Sequence, residues 1–170
     1  TWEYDEYVKC VQLKNYTRGE KEDKNGNRYF DIDRGLENEL KIYAILQSGS
    51  ENAENSIPRV LDSSFSNRWA VQGTHENPSW GIFDLGSVKE LDKIYIAYYS
   101  GAARKAYFKV EVSEDGENFT TAIAEGESSG ETDEFESYDL GGVNARYIKF
   151  TGYGSNENLH NNLAEILVTE

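Results

Sequence analysis

The sequence predicts an all-β protein, folded as an antiparallel β-sandwich or jelly roll. Apolar residues alternate with polar ones in short runs, and helical periodicity is nearly absent. The 170 residues include 15 Gly but only 2 Pro, which indicates many tight turns between the runs. About eight short strands at this spacing are typical of two packed sheets.

Alternation of apolar residues locates the strands along the chain. Four runs have the clearest pattern and are predicted as strands: 93–99, 107–112, 146–151 and 164–168. In the second run, Phe108, Val110 and Val112 share one face, which we expect to point into the core. Asp115 and Gly116 follow this run, and Asp-Gly between alternating runs predicts a hairpin turn.

Residues 1–36 differ from the rest of the chain. They contain a plausible strand at Tyr7–Leu13 and a hairpin signal at Asn25-Gly26 before Tyr29–Ile32, but also a polar stretch over 18–24. We expect an amino-terminal extension, or the tail of a preceding domain, packed on a sandwich formed by residues 37–170. A disordered linker is the alternative, and the aromatic content of the segment counts against it.

Charge excludes one broad class of partner. The chain has 17 Lys and Arg against 31 Asp and Glu, a net charge of −14, so a general nucleic-acid binder is excluded. Residues 41–110 hold 8 basic and 7 acidic side chains, whereas residues 111–140 hold 0 and 11. No apolar run approaches the length that spans a membrane, and a single cysteine, Cys10, allows no internal disulfide.

Four segments with distinctive patterns follow one another along the chain: 60–69 (VLDSSFSNRW), 80–86 (WGIFDLG), 108–119 (FKVEVSEDGENF) and 145–150 (ARYIKF). With them, the chain from Ile42 onward resembles the discoidin, or coagulation factor 5/8 type C, superfamily, and within it the carbohydrate-binding modules of family 32. The resemblance implies a discoidin-like jelly roll that binds ligands with loops at one end. Residues 98–108 (YYSGAARKAYF) are similar to the subgroup appended to alginate lyases and other lyases of uronic-acid polysaccharides.

The resemblance also implies a structural Ca²⁺ ion. Family members coordinate Ca²⁺ from the positions of four residues: Asp62, Ser64, Asn67 and Glu165. Ca²⁺ takes six to eight oxygen ligands, which such a turn and its carbonyl groups could supply. Two residues depart from the family pattern, because Ser64 stands where Asp is common and Asn67 replaces Thr. The alternative is an Asx-type turn ahead of a core residue, Trp69.

Sugar recognition combines flat aromatic rings with polar side chains, and with Arg or Lys when the sugar carries a carboxylate. The loops assigned to the binding end supply these residue types: His75, Asn77, Trp80, Tyr99, Arg104, Lys105, Tyr107, Tyr153, Asn158, His160 and Asn161. Arg104 is the strongest candidate, because a guanidinium pairs with a uronate carboxylate in a fork. Trp80 begins a predicted strand and could face either way.

The position of the acidic segment bears on the ligand. We expect the carboxylates of residues 111–139 to lie away from the ligand loops, since a polyuronate would otherwise meet like charge. If these carboxylates line the Arg104 loop, the hypothesis of an anionic polysaccharide fails and a neutral, galactose-type ligand is favoured.

These observations lead to one main functional hypothesis. We expect a monomeric, secreted, non-catalytic module that binds a polysaccharide or oligosaccharide, with alginate or another uronic-acid polymer preferred, and that is joined to a catalytic domain in a longer chain. Neutral glycans are the next candidate. A discoidin-type adhesion domain and a small polysaccharide lyase, which would use residues such as Tyr153, His160, Asn161 and Arg104, remain alternatives.

Overall fold

The structure is a computed structural model that describes residues 20–30 and 34–170. Within these ranges it contains nine β-strands and a short 3-10 helix at Ile57–Leu61. The strands are β1 (Glu20–Glu22), β2 (Arg28–Phe30), β3 (Ala44–Gln47), β4 (Trp69–Gln72), β5 (Ser79–Tyr98), β6 (Ala106–Ser113), β7 (Thr120–Glu127), β8 (Phe135–Ser155) and β9 (His160–Thr169). No helix of this described part is long and apolar enough to cross a membrane.

Seven strands, β3 to β9, form an all-β sandwich, and β1 and β2 form a separate two-stranded sheet. Every pairing is antiparallel. One layer contains β3, the first part of β5, the second part of β8, β6 and β7. The other contains β4, β9, the second part of β5 and the first part of β8. The predicted fold class, a discoidin-like antiparallel β-sandwich, is confirmed.

The prediction of uniformly short strands is wrong for β5 and β8, which have 20 and 21 residues. Both strands bend from one layer into the other, and their pairing shifts register between Asp84 and Lys89 and again after Leu91. Gly86, at φ 83°, and Gly142, at φ 71°, lie in these bends. Residues with side chains rarely adopt such angles, so each bend resembles a turn in the sequence although the strand continues.

Aromatic side chains from both layers meet in the core. Phe108 of β6 stacks on Phe150 of β8 with ring centroids 5.5 Å apart, and Trp69 of β4 contacts Phe150 edge-on at 6.3 Å. All three side chains are fully buried. The expected inward faces of the runs at 107–112 and 146–151, and the core position of Trp69, are therefore confirmed.

The amino-terminal extension packs on the sandwich over its described residues. β1 and β2 form the hairpin predicted at Asn25-Gly26, and the Asp23 carboxylate accepts hydrogen bonds from the backbone of the turn. The buried Phe30 donates its backbone N–H to the Ile42 carbonyl at 2.8 Å. The predicted strand at 7–13 lies outside the described residues, and the boundary between 36 and 37 stays a prediction.

Strand pairing fixes which loops lie together. Gln47 pairs with Gly81, Gln72 with His160, Ser79 with Gly152, Ala106 with Ser155, Tyr107 with Glu127 and Ala97 with Phe135. The loops next to these pairs therefore lie at one end of the sandwich, which we call the loop end: 48–56, 73–78, 99–105, 128–134 and 156–159. The turn at Asp115 lies at the opposite end, beyond the pair of Val112 with Thr120.

Replacement of the central aromatic ring tests this packing. Phe150→Ala should lower the free energy of unfolding by about 3–5 kcal/mol, because it removes a ring that contacts both layers and leaves a cavity. Val88→Ala, at a half-exposed side chain, is the matched control and should change it by less than about 0.5 kcal/mol. Urea denaturation measures both, and a loss below about 1 kcal/mol for Phe150→Ala would contradict this core.

Candidate functional site

Two aromatic rings are stacked at the loop end. The imidazole of His75, from the loop after β4, lies parallel to the ring of Tyr153 in β8, with centroids 4.3 Å apart and planes 8° from parallel. Both line a cavity of about 170 Å³ together with Tyr107, Glu125 and Glu127. We call this the His75–Tyr153 cavity. It brings together His75, Tyr107 and Tyr153, three residues that the sequence assigned to a ligand site and that lie far apart in the chain.

A second group of predicted residues surrounds Tyr99. The Arg104 guanidinium donates a hydrogen bond to the Tyr99 carbonyl at 2.9 Å, and the guanidinium carbon of Arg68 lies 4.4 Å from the centre of the Tyr99 ring. We call these three residues the Tyr99 cluster. Within residues 20–30 and 34–170, neither arginine forms an ion pair, and the Nε atom of Arg68 is buried without a hydrogen-bond partner.

Arg68 was not among the residues predicted to bind a ligand. The segment 60–69 was interpreted as a metal-binding turn followed by a core tryptophan, so its arginine was not assigned a role. Its position directly before Trp69, in a segment of mixed polar residues, was the available signal. Only the fold brings it to the ring of Tyr99, which lies 31 residues further along the chain.

His160 lies apart from His75. It lines a different cavity of about 360 Å³ with residues of the loop after β3, including Ser50 and Glu51, and with Gln72. The sequence analysis did not assign the 48–56 loop to the binding end. Both histidines therefore lie at the loop end, as expected, but in separate cavities.

The acidic segment does not lie wholly away from the ligand loops, and that expectation is wrong in part. Lys105 forms an ion pair with Glu127 at 3.1 Å, and the backbone N–H of Ala102 donates to Asp133 at 3.0 Å. The hydrogen bond to Glu127 raises the pKa of Lys105. The cause is the hairpin at Asp115: it returns β7 antiparallel to β6, so the end of β7 comes back to the loop end.

The remaining polar residues are held within their loops. Asn77 closes a turn with Thr74, since each accepts a hydrogen bond from the backbone of the other, and its side chain is exposed. Asn158 is also exposed, and its Oδ1 accepts a hydrogen bond from the His160 backbone at 3.0 Å. Both side chains therefore lie at the loop end.

Two predicted ligand residues are not exposed at the loop end: Asn161 is buried, and Trp80 lies on the outer face of a sheet. Asn161 is only 3% exposed, and its Oδ1 accepts the backbone N–H of Gly154 at 2.8 Å, so it joins the end of β8 to β9. Trp80 lies on the outer face of its sheet, where it packs against Leu46 and Ile82, and the Lys149 amine lies 5.3 Å from its ring centre. Asn161 therefore positions a loop, and Trp80 covers the sheet.

The four predicted Ca²⁺ ligands are close together. Asp62 accepts hydrogen bonds from the Ser64 backbone at 3.0 Å and from the Asn67 amide at 2.7 Å. The Ser64 N–H also reaches Glu165 at 3.2 Å. Burial raises the pKa of the Glu165 carboxyl to about 8, and a hydrogen bond with Asp62 adds to the shift, whereas Arg34 opposes it. The turn and the last strand are thus joined directly.

A guanidinium reaches one of the four predicted ligands, the Glu165 carboxylate. Arg34, which the sequence analysis did not single out, donates to Glu165 Oε2 at 2.8 Å and to the backbone carbonyls of Val60 and Ile166. Among the described residues, no group of three or more His, Cys, Asp or Glu side chains is arranged to hold a metal ion. With Arg34 in this position, the residues do not fit a Ca²⁺ ion.

The buried amide of Asn161 offers a test of the loop end. Asn161→Ala should reduce the free energy of unfolding by about 1–3 kcal/mol, because the N–H of Gly154 loses its acceptor in a buried place. Asn144→Ala, at an exposed position of the same sandwich, is the control and should have little effect. Equal stability of the two variants in urea would show that the Asn161 hydrogen bond does not hold this loop.

Comparisons with known proteins identify the family. The family described as F5/8 type C domain matches residues 44–166, whereas no curated protein matches the chain. A solved structure described as the CBM32 of AlyQ in complex with 4,5-unsaturated mannuronic acid is 30% identical, with a TM-score of 0.72 over 78% of this chain and 98% of the other.

Two further solved structures are similar. The truncated AlyQ with CBM32 and alginate lyase domains is also 30% identical, with a TM-score of 0.72. The match covers 78% of this chain and 33% of the other. A pectin-binding carbohydrate-binding module is 25% identical, with a TM-score of 0.72 over 77% of this chain and 92% of the other. The sequence and the fold of this chain agree: it belongs to the F5/8 type C domain family, and its structural neighbours are carbohydrate-binding modules.

Proposed function

We propose that this chain is a non-catalytic carbohydrate-binding module that binds a uronic-acid polysaccharide, alginate first, through its loop end. The observation that carries the proposal is the Tyr99 cluster, in which Arg68 and Arg104 contact one tyrosine and neither pairs with a carboxylate of the described residues. The AlyQ module, similar to this chain over nearly its full length, was solved with an unsaturated mannuronic acid.

The cluster has the chemistry that a uronate requires. A guanidinium presents several N–H donors in a plane and can bind both oxygens of a carboxylate. One terminal nitrogen of Arg104 is fixed by the Tyr99 carbonyl, so the side chain is held in place while other donors are available. Because ordering a long side chain costs free energy on binding, an arginine already held loses less.

Binding without chemistry agrees with where the polar residues lie. A lyase needs a base and an acid near one carbon atom of the sugar. Tyr153 is stacked on His75, and His160 lines a separate cavity, so these two candidates for proton transfer do not share a site. A binding module contributes instead by holding an attached, secreted polysaccharide-degrading enzyme on its substrate, which raises the effective substrate concentration.

A neutral glycan is the second candidate. The sequence predicted that carboxylates beside the Arg104 loop would favour such a ligand, and Glu127 and Asp133 both contact that loop, although neither pairs with Arg104 itself. Glu125 and Glu127 line the His75–Tyr153 cavity, and Glu127 neutralises Lys105 beside it. Carboxylate oxygens accept hydrogen bonds from sugar hydroxyls, and aromatic rings contact the C–H face of a sugar, but carboxylates repel a uronate. A galactose-type sugar in this cavity would therefore not use the Tyr99 cluster.

Affinity electrophoresis distinguishes the two ligands. The full chain should be retarded in gels that contain alginate, with weaker retardation in pectin and none in galactan. Retardation by galactan alone would replace the uronate proposal with the neutral one. No retardation by any of the three polymers would contradict both.

Single substitutions should act on the two sites in opposite directions. Arg104→Ala or Arg68→Gln should weaken binding of alginate oligosaccharides by roughly 10- to 100-fold, since each removes a charged hydrogen bond of about 1.5–3 kcal/mol. Glu127→Gln should strengthen it, because it removes a repelling charge and releases Lys105.

Titration calorimetry measures these changes, with Lys93→Ala as the matched control. Lys93 of β5 lies opposite Asp139 of β8 in the strand register, away from the loop end. Loss of its charge should therefore leave the affinity for alginate unchanged. If Glu127→Gln weakened binding while both arginine variants had no effect, the ligand would occupy the His75–Tyr153 cavity instead.

A further inference from the structure

Arg34 is the most completely enclosed cation among the described ion pairs. Its side chain is 4% exposed, and it pairs with Glu165, which is 1% exposed, at 2.8 Å and with Glu39, which is 11% exposed, at 2.6 Å. Burial of a charge costs several kcal/mol unless partners compensate it. Two carboxylates and two backbone carbonyl groups compensate the buried charge of Arg34.

The contacts of Arg34 join three parts of the fold. One terminal nitrogen donates to the Val60 carbonyl at the end of the 3-10 helix, and to Glu165 and the Ile166 carbonyl in β9. Its Nε donates to Glu39, in the segment that leads to β3, at 2.7 Å. The 3-10 helix that leads into the turn at Asp62, the last strand and the segment before β3 therefore meet at a single guanidinium.

The atoms around the guanidinium are the kind that bind a hard cation. They are carboxylate and carbonyl oxygens, supplied by a turn and a strand that also contribute Asp62 and Ser64 nearby. Ca²⁺ prefers six to eight such oxygens. An arginine can serve the same oxygens, because it is always charged and carries five N–H donors in a fixed plane.

From this geometry we infer that Arg34 is a built-in cation that replaces a metal ion: its guanidinium holds the Asp62 turn to β9, and the domain folds without calcium. Arg34 lies outside residues 44–166, which match the family. The cation is thus supplied by the extension. The described part of the extension that carries Arg34 is consequently part of the folded unit, although the sequence predicted that it precedes the module.

Loss of Arg34 should reveal the oxygen site beneath it. Without the guanidinium, Glu39 and Glu165 would be left buried without their partner, which is strongly destabilising. A divalent cation could then occupy the same oxygens and recover part of the stability, since a ligand that binds only the folded state stabilises it.

Thermal unfolding with and without calcium tests this inference. The melting temperature of the full wild-type chain should change by less than about 1 °C in excess EGTA or in millimolar CaCl2. Arg34→Ala in EGTA should melt about 10 °C lower than wild type, and millimolar CaCl2 should raise its melting temperature by several degrees.

Arg146→Ala is the matched control. Arg146 forms two hydrogen bonds with the buried carboxylate of Asp84, at 2.8 and 3.0 Å. This ion pair does not involve Ser64 or Glu165. Its loss should lower the melting temperature without any response to calcium. A calcium response by this variant equal to that of Arg34→Ala would overturn the inference.

The wild-type protein decides the question if Arg34→Ala does not fold. Elemental analysis of the purified chain should find no bound calcium. One calcium per chain, or a melting temperature that falls in EGTA and recovers with CaCl2, would overturn the inference. A folded Arg34→Ala variant that ignores calcium would overturn it as well, because the oxygen atoms would then not form a cation site.

Discussion

The antiparallel pairing of β5 with β8 is the contact on which the other elements depend. Each of these strands bends from one layer into the other, so the same pair forms the centre of both sheets. β3 and β9 add to the two parts of β5, and β6 adds to the second part of β8. Since antiparallel pairing fixes where each strand begins and ends, it also decides which loops meet at the loop end.

Charge pairing within the fold leaves Arg68 and Arg104 without an ion-pair partner among the described residues, although the net charge of the chain is −14. Lys105 is neutralised by Glu127, and Arg146 by Asp84. Arg34 is buried between carboxylates. Arg68 and Arg104 have no such partner in the described residues, so the Tyr99 cluster carries two positive charges, although the five loops of the loop end hold more acidic than basic side chains. At physiological ionic strength, charges more than about 8 Å apart are largely screened, so these local groups dominate short-range recognition.

The sequence predicted most of the secondary structure and part of the candidate site. Alternation located the core faces of β6 and β8 because a strand exposes one side to the core and the other to solvent. Asn25-Gly26 located a hairpin because of its turn chemistry. The sequence did not predict the length of β5, since Gly86 interrupts the alternation of apolar residues without ending the strand. Arg34 and Arg68 were missed, because the partners of each side chain lie far along the chain and only the fold brings them together.

The sequence by itself determined the all-β class, the family and the residue types available for binding, because these depend on local order along the chain. Only the tertiary structure decided which of those residues share a site. It placed His75 on Tyr153 but left His160 in another cavity. It also placed Glu127 beside Lys105 of the 99–105 loop, although the sequence predicted that the acidic segment lies away from that loop. It also placed a guanidinium against Glu165, one of the four residues assigned to calcium. The physical reason is that antiparallel strands return the chain to the same end at intervals set by strand length and bending, which local sequence does not encode.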